Sequence, residues 1–269
     1  MNFPKINKEK PTVEFIALTS GVEQTMPIIK ASEYRHSWMM KAAQDFKNKG
    51  SLTSPRNSED FFNPEAQNFK VDERRHTLKC PAIGLWQNTG WIMRLHQDVK
   101  IEILGGTEYK WITPAETQQE RLISWHMEQS LHPFFENWPK DTMKKIIKFN
   151  LPWVARIPKG YKLLQMHPFY LDDFRFTAVN GILESEMGHA AVGTIPAFFH
   201  ATEGTYTIKA GTPLAQFILI PKDEADFKNI DWADDPNYKK ERNINFLLLK
   251  QSFDVNYNKI RDFWKKYGW

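Results

Sequence analysis

Hydrophobic and polar positions alternate over many short stretches of this chain, and that alternation predicts β-strands. Alternate apolar positions place one face of a strand in a core and the other in solvent. A first strand is predicted over Thr12–Leu18, and later ones follow with turn signals between them. These lie at 90–95, 99–104, 108–112, 122–126, 149–154, 161–166, 174–179, 193–199, 204–209 and 214–220. Short strands at such regular spacing indicate a mainly β (α+β) protein built on an antiparallel β-sandwich or jelly-roll-like domain.

Two segments have a helical period instead. Ser32 predicts the N-cap of an N-terminal helix whose apolar positions recur as far as Phe46 and which ends at Gly50. Apolar residues from Phe246 to Tyr267 recur at steps of three and four, which predicts a long C-terminal amphipathic helix. This helix can pack on the sheet of its own chain. Because the same spacing serves a coiled coil, it can also join the subunits of a homo-oligomer.

The segment Ser51–Lys70 is rich in Ser, Asn, Pro and charge, and predicts a long loop. The predicted organisation is therefore a β-rich domain over 1–233, with the loop 51–70 inserted, and a C-terminal helix over 234–269. A single β-rich domain of this size is reasonable because all-β domains reach about 250 residues.

Charge and cysteine content exclude several classes of protein. Lys and Arg total 36 against 32 for Asp and Glu, and no basic run marks a nucleic-acid-binding surface. Cys80 is the only cysteine, so neither a disulfide framework nor a thiolate zinc site can form within one chain. Cys80 is interpreted as a small buried hydrophobic residue. The chain has no apolar stretch of about 18 residues, so a membrane-spanning helix is not predicted. The first eleven residues lack the apolar core of a signal peptide. The predicted location is intracellular (the host cytoplasm if the protein is viral) or in a virion.

Several short motifs occur together along the chain. They are Lys79-Cys80-Pro81, Asn88-Thr89-Gly90-Trp91, Ile123-Ser124-Trp125-His126, Leu151-Pro152-Trp153, Pro158-Lys159-Gly160-Tyr161, Gly181-Ile182-Leu183-Glu184 and Lys209 to Gln216. In these motifs the chain resembles an uncharacterised family of marine tailed-phage proteins, which is similar in turn to the bacterial family named domain of unknown function 6065. The resemblance covers about Val13 to Pro221. It implies a β-rich fold and a phage or bacterial setting, but no activity.

The resemblance also points to two polar positions. Phage members of the family have a carboxylate pair after a Gly-Ile step, which Glu184 and Glu186 match here. They also have a His-Pro step like His167-Pro168, but a polar residue follows it where this chain has Phe169-Tyr170. A shared polar site at that loop is therefore not implied for this chain.

Aromatic and titratable residues supply the ligand-binding candidates. These candidates are Trp125, His126, His167, Glu184 and Glu186. Six tryptophans either pack a core or line a groove for a sugar, base or peptide. They are Trp86, Trp91, Trp111, Trp125, Trp138 and Trp153. The histidines can equally be hydrogen-bonded scaffold, and the two glutamates either solvated turn acids or a general acid/base pair.

A second hypothesis is a jelly-roll non-haem iron oxygenase, or hydroxylase. His126 and Glu128 form a His-x-Glu step that puts both side chains on one face of a strand, and His200 would be the third ligand of Fe(II). Lys209 would then bind the carboxylate of 2-oxoglutarate, as in the oxygenases that this pattern resembles.

No motif fixes a reaction, since the chain has no nucleophile elbow, phosphate-binding loop or dinucleotide fingerprint. The predicted function is accordingly that of a nonenzymatic binding or assembly protein with a protein or small-molecule ligand, which oligomerises through Phe246–Tyr267. The oxygenase is the alternative.

Overall fold

The computed structural model describes residues 10–41, 44, 81–113, 122–126, 132–169, 171–185, 190–223, 225–226 and 228–229. These residues fold mainly as antiparallel β-structure, which confirms the β-rich class. The predicted loop 51–70, the boundary after residue 233 and the long C-terminal helix lie outside the described residues, as does Cys80. They stay predictions.

The chain divides into two compact units. The first comprises Met1–Tyr34 and Asn88–Glu224, and the second Arg35–Gln87 and Ala225–Trp269. All described strands belong to the first unit. In the second unit, residues 37–41 and Pro81–Gln87 are helical, and no helix among the described residues reaches the length and hydrophobicity that a membrane span requires.

The described elements are short. Besides the helical residues 37–41, the helices are α1 (Val22–Thr25) and α2 (Pro81–Gln87), with 3-10 turns at Ala31–Glu33 and His132–Phe134. The strands are β1 (Glu14–Ala17), β2 (Ile29–Lys30), β3 (Trp91–Arg94), β4 (Val99–Gly105), β5 (Glu108–Ile112), β6 (Ile123–Trp125), β7 (Ile147–Asn150), β8 (Trp153–Arg156), β9 (Tyr161–Met166), β10 (Phe176–Ala178), β11 (Gly181–Leu183), β12 (Thr194–Phe199), β13 (Gly204–Ile208) and β14 (Pro213–Pro221).

These strands form four sheets within the described residues. The orders are β11-β9-β14-β3-β2, β10-β12-β7-β6, β13-β4-β5 and β1-β8, and neighbouring strands are antiparallel throughout. One hydrophobic cluster joins residues from all four sheets. It includes the fully buried rings of Phe149, Phe176, Phe199 and Phe217.

Strand β4 illustrates how the sequence pattern produces this core. Val99, Ile101 and Ile103 are buried, whereas Lys100 and Glu102 between them are exposed. This is the two-residue period of a strand with one face in the core. The hydrophobic effect therefore fixes which way β4 faces, since a shift by one residue would bury its charges.

A tight hairpin then places β5 at the end of its sheet. Gly105 and Gly106 have φ angles of 108° and 60°, a region that residues with a Cβ avoid. The chain reverses there, and Tyr109 pairs with Ile103. The sheet order ends at β5, so its other edge pairs with no strand among the described residues.

The structure corrects two sequence expectations about element boundaries. Ser32 does not cap a helix: it lies in the turn Ala31–Glu33, and the extended backbone of Tyr34 (φ −81°, ψ 129°) ends that turn before any helix begins. The single strand predicted over 149–154 is two strands, β7 and β8, which belong to different sheets. Pro152 separates them because it has no N–H to donate to a strand ladder.

Candidate functional site

A cavity of about 640 Å³ opens between strands β5 and β6. We call it the β5–β6 groove, and its described lining is Leu104, Thr107–Trp111, Ile123–Trp125, Lys145 and Lys148. Each of the two strands is the last one in its sheet. The groove therefore lies where the edges of two sheets face a common space. Its volume falls within the range of about 300–1,000 Å³ that is typical of ligand pockets.

Strand β5 supplies two aromatic side chains to this groove. Tyr109 and Trp111 are two residues apart and so project from the same face of the strand. Both are half-buried and pack against the hydrophobic core, opposite Ile103 and Ile101. Their inner edges are therefore held by the core while their outer edges line the groove, which gives the groove a rigid aromatic wall.

Strand β6 supplies the third aromatic side chain. Trp125 is 47% exposed although its cross-strand partner Ile147 is fully buried. The ammonium nitrogen of Lys145 lies 4.7 Å from the centre of the Trp125 ring, within the range of a cation–π interaction. An exposed indole with a cation on its face and a cavity beside it is well placed to stack on a flat group.

The charge of the lining is positive. Among the described lining residues, Lys110, Lys145 and Lys148 carry three positive charges and Glu108 carries one negative charge, which leaves +2. None of these three lysines forms an ion pair within the part of the chain that the structure describes. The positive charge is thus available to a ligand.

Burial sets the protonation of the tyrosine in the wall. It raises the pKa of the Tyr109 hydroxyl to about 12. The phenol consequently stays neutral at physiological pH and can donate a hydrogen bond to an anion. His126, directly after β6, has a lowered pKa because it is partly desolvated and because Lys148 is nearby. Of the histidine candidates, it lies closest along the chain to the groove, although it is not in the described lining.

His167 directly follows β9 of the five-stranded sheet, and its ring is held by β10 of the four-stranded sheet. Its Nδ1 accepts a hydrogen bond from the backbone N–H of Ala178 at 3.1 Å, and its ring lies edge-on to Phe176. Burial lowers its pKa, His200 lowers it further, and Asp173 opposes the shift. The ring is therefore favoured in its neutral form, in which Nδ1 can accept that bond.

His200 is engaged on both ring nitrogens. Nδ1 lies 2.9 Å from the hydroxyl of Thr142, and Nε2 lies 2.7 Å from the hydroxyl of Thr177. Burial lowers the pKa of this imidazole. A metal ion would have to displace one of these hydrogen bonds, so the contacts of His200 are those of a bridge between two segments of the scaffold.

The described members of the proposed iron site do not converge. His126 follows β6 at one edge of the four-stranded sheet, whereas His200 bonds to β10 at the other edge. His200 directly follows β12, two strand spacings or roughly 10 Å from β6 at about 4.8 Å each, and its bond to Thr177 holds its ring on the β10 side. Lys209 pairs instead with Asp98 at 2.8 Å, and Glu128 lies outside the described residues.

No cluster of three or more His, Cys, Asp or Glu side chains suited to a metal occurs among the residues that the structure describes. The described part of the site therefore does not fit Fe(II).

Glu184 lies away from the groove, at the edge strand β11 of the five-stranded sheet. Its carboxylate pairs with Lys162 at 3.1 Å and with Lys222 at 3.2 Å. The hydrogen bond from Lys162 and then that from Lys222 hold the pKa of Glu184 below its usual value. Glu184 is therefore poorly suited to donate a proton near neutral pH. Glu186 lies outside the described residues.

The tryptophans divide between the two roles that the sequence left open. Trp153 is buried in the core, and Trp138 stacks edge-on against Phe198, whereas Trp111 and Trp125 line the groove. Sequence reasoning missed Tyr109 and the three lysines. The alternation of exposed and partly buried residues in β5 predicts that Tyr109 points toward the core. The sequence around Lys145 and Lys148 does not predict that these lysines line the same cavity as β5.

Comparisons with known proteins add no function. The sequence matches no protein-family model, and no curated protein matches it. A solved structure with local similarity is a mutant dUTPase from phage phi11 of S. aureus, at 17% identity over 34% of this chain and 72% of that chain, with a TM-score of 0.24. A TM-score this low supports no conclusion about the fold or function of this chain.

Proposed function

We propose that this protein is a nonenzymatic binding or assembly protein, built on a sandwich-like β domain, whose binding site is the β5–β6 groove. The observation that carries the proposal is the convergence of Tyr109, Trp111 and Trp125 with Lys145 and Lys148 around one open cavity. These residues come from three separate segments of the chain.

The chemistry of the lining favours binding over catalysis. General acid–base catalysis needs at least one positioned group whose proton can move near the working pH. The described lining holds one carboxylate, Glu108, and a tyrosine that stays protonated. Lysines and aromatic faces are instead suited to hold a ligand through charge and stacking.

The lining also defines the kind of ligand. Flat or apolar groups pack against Trp111 and Trp125, and a negative charge is attracted by Lys145 and Lys148. The expected ligand therefore combines an aromatic or apolar part with an anionic part. A cation of the same shape is disfavoured by the +2 charge of the lining.

The full-length protein can be titrated with anilinonaphthalene sulfonate, a flat aromatic anion, and followed by dye fluorescence. We expect saturable binding that Trp125→Ala and Lys145→Glu each weaken by about tenfold, since such a loss corresponds to about 1.4 kcal/mol. The indole N–H signals of Trp111 and Trp125, assigned by Trp→Phe variants, should shift in NMR spectra during the titration.

Matched controls test whether the groove is the site. Phe174→Ala removes an aromatic side chain that is 82% exposed and outside the described groove lining, and Lys159→Glu reverses an exposed charge in a turn that is also outside that lining. Neither should change the affinity. Equal binding of the cationic dye proflavine, or equal affinities in groove and control variants, would overturn the proposal.

Two further parts of the proposal rest on the sequence alone. Self-association through Phe246–Tyr267 is proposed from the heptad-like spacing, and a phage setting, in a virion or in the host cytoplasm, from the family resemblance. Ligand binding in the groove requires neither self-association nor a phage setting.

A further inference from the structure

We infer that the β5–β6 groove takes an extended peptide with alternating acidic and apolar side chains, which pairs as an added strand with the open edge of β5. This inference deepens the proposed function and rests on it. The occupant would be a segment of a partner protein.

The first support is the backbone of β5 itself. Strand β5 has five residues and pairs only on one side, with β4, among the described residues. Among the described residues, the backbone N–H and C=O groups on its other edge therefore have no strand partner and can pair with an added strand. A nucleotide or a sugar has no complementary row of alternating donors and acceptors, whereas an extended peptide has one.

The second support is the length of that edge. Five residues at about 3.3 Å each span roughly 17 Å, so a peptide of about five residues can pair along the whole of β5. Strand β6 has only three residues. The longer strand offers more backbone hydrogen bonds and is the better partner, which leaves Trp125 on β6 free to contact side chains of the peptide.

The third support is the way in which the two faces of β5 differ. Tyr109 and Trp111 point toward the core side of the groove, whereas Lys110 is exposed on the opposite face, between Glu108 and Ile112, and Lys145 and Lys148 of the groove lining add the excess positive charge. Side chains of a paired strand alternate in the same way. An added strand would thus place its apolar residues beside Tyr109 and Trp111 and its acidic residues beside Lys110. The inferred peptide therefore alternates acidic and apolar residues.

The probe is a capped, fluorescein-labelled peptide of eight residues in which glutamate alternates with tyrosine or valine, and its binding is followed by fluorescence anisotropy. We expect saturable binding that Trp125→Ala and Lys110→Glu each weaken about tenfold, with Phe174→Ala and Lys159→Glu as unchanged controls. A version with lysine in place of glutamate should bind at least tenfold more weakly.

Two backbone-methylated versions of the peptide test the strand pairing itself. One carries N-methyl groups on its odd residues and the other on its even residues. In a paired strand, only alternate N–H groups face the neighbouring strand. We therefore expect one version to lose about tenfold in affinity, because each lost hydrogen bond contributes about 0.5–1.5 kcal/mol, and the other to bind almost unchanged. Equal affinities of the two versions would overturn strand addition.

The remaining outcomes separate the two proposals. If anilinonaphthalene sulfonate binds in a Trp125-dependent way but the peptide does not, the peptide inference is overturned and the binding function stands. If neither probe binds, both fail. Tighter Trp125-dependent binding of a single-stranded oligothymidylate of ten nucleotides than of the peptide would also overturn the peptide inference.

Discussion

The two ends of the four-stranded sheet use their polar side chains in opposite ways. At the β10 end, His200 bonds to two threonines, and the guanidinium of Arg175 bonds to both carboxylate oxygens of Asp173 and to the Thr207 carbonyl. At the β6 end, Trp125 and Lys145 contact each other beside an open cavity. The polar side chains named at the first end hold the scaffold together, whereas the ammonium group of Lys145 at the second remains available to a ligand. A titratable residue near a strand end is therefore weak evidence for a site until its partners are known.

The largest expected effect comes from removing the ring that joins the two ends. Phe149 on β7 is fully buried, pairs with Ile123 of β6 and packs against Phe176 of β10. Phe149→Ala should lower the free energy of unfolding by about 3–5 kcal/mol, the usual cost of deleting a buried ring. Urea denaturation measures it, with Phe174→Ala as the exposed control. A loss below about 1 kcal/mol, the average effect of an ordinary substitution, would show that Phe149 does not tie the two ends together.

A smaller loss of stability is expected from a change at the β10 end alone. Arg175→Met removes the charge-assisted hydrogen bonds at the β10 end, and we expect a loss of about 1–2 kcal/mol of stability, discounted because this side chain is 35% exposed. The affinity of the Arg175→Met variant for anilinonaphthalene sulfonate should stay at the wild-type value.

The partly exposed Trp125 should behave in the reverse way. Trp125→Ala should change stability by about 0.5 kcal/mol or less, as is usual at the surface, while it weakens dye binding. Urea midpoints and dye titrations on both variants check this crossed pattern. If Arg175→Met impaired binding as strongly as Trp125→Ala does, the comparison between the two ends would be wrong.

The smallest expected effect is a pH dependence at the β10 end. The folded-state pKa values of His167 and His200 lie below the ordinary value of 6.5. Their neutral forms are favoured in the native state, so their contribution to stability is complete above about pH 6.5. That contribution is lost as the pH falls through the folded pKa values, because the unfolded chain then binds more protons.

Urea midpoints at pH 8 and pH 5 should therefore differ less in His167→Asn than in the wild type, since an Asn oxygen can still accept from the Ala178 N–H. His126→Asn, at the exposed β6 end, is the matched comparison, and it should flatten the dependence less. A larger flattening from His126→Asn than from His167→Asn would reverse the assignment of the pH-sensitive end.

Local alternation was enough to predict most of the strands, because each strand obtains its facing from its own side chains. Val99, Ile101 and Ile103 show this in β4, and Tyr109 and Trp111 show it in β5. Very short strands such as β2 and β11 were missed, since two or three residues hold no readable period.

The candidate site was predictable only in part, because it depends on sheet order. The sequence identifies Trp125, but Lys145 and Lys148 line the same cavity as Trp111 only because β5 and β6 end their respective sheets. Likewise, His200 looked like a possible metal ligand. The two threonines that engage it, Thr142 and Thr177, come from segments 58 and 23 residues away. Such long-range pairings leave no local signal.

The pairing of β1 with β8 has a consequence for the synthesis of the protein. Glu14 and Arg156, which lie opposite each other in that pair, are 142 residues apart. At about 5–20 residues per second, the ribosome needs roughly 7–28 s to make the second strand after the first. During that interval Phe15, which packs against Trp91 and Phe217 in the finished fold, has its strand partner still to come. Binding of a chaperone to the nascent β1 should thus affect the yield of folded protein more than its final stability. The same is expected of slower translation, which lengthens the interval before β8 is made.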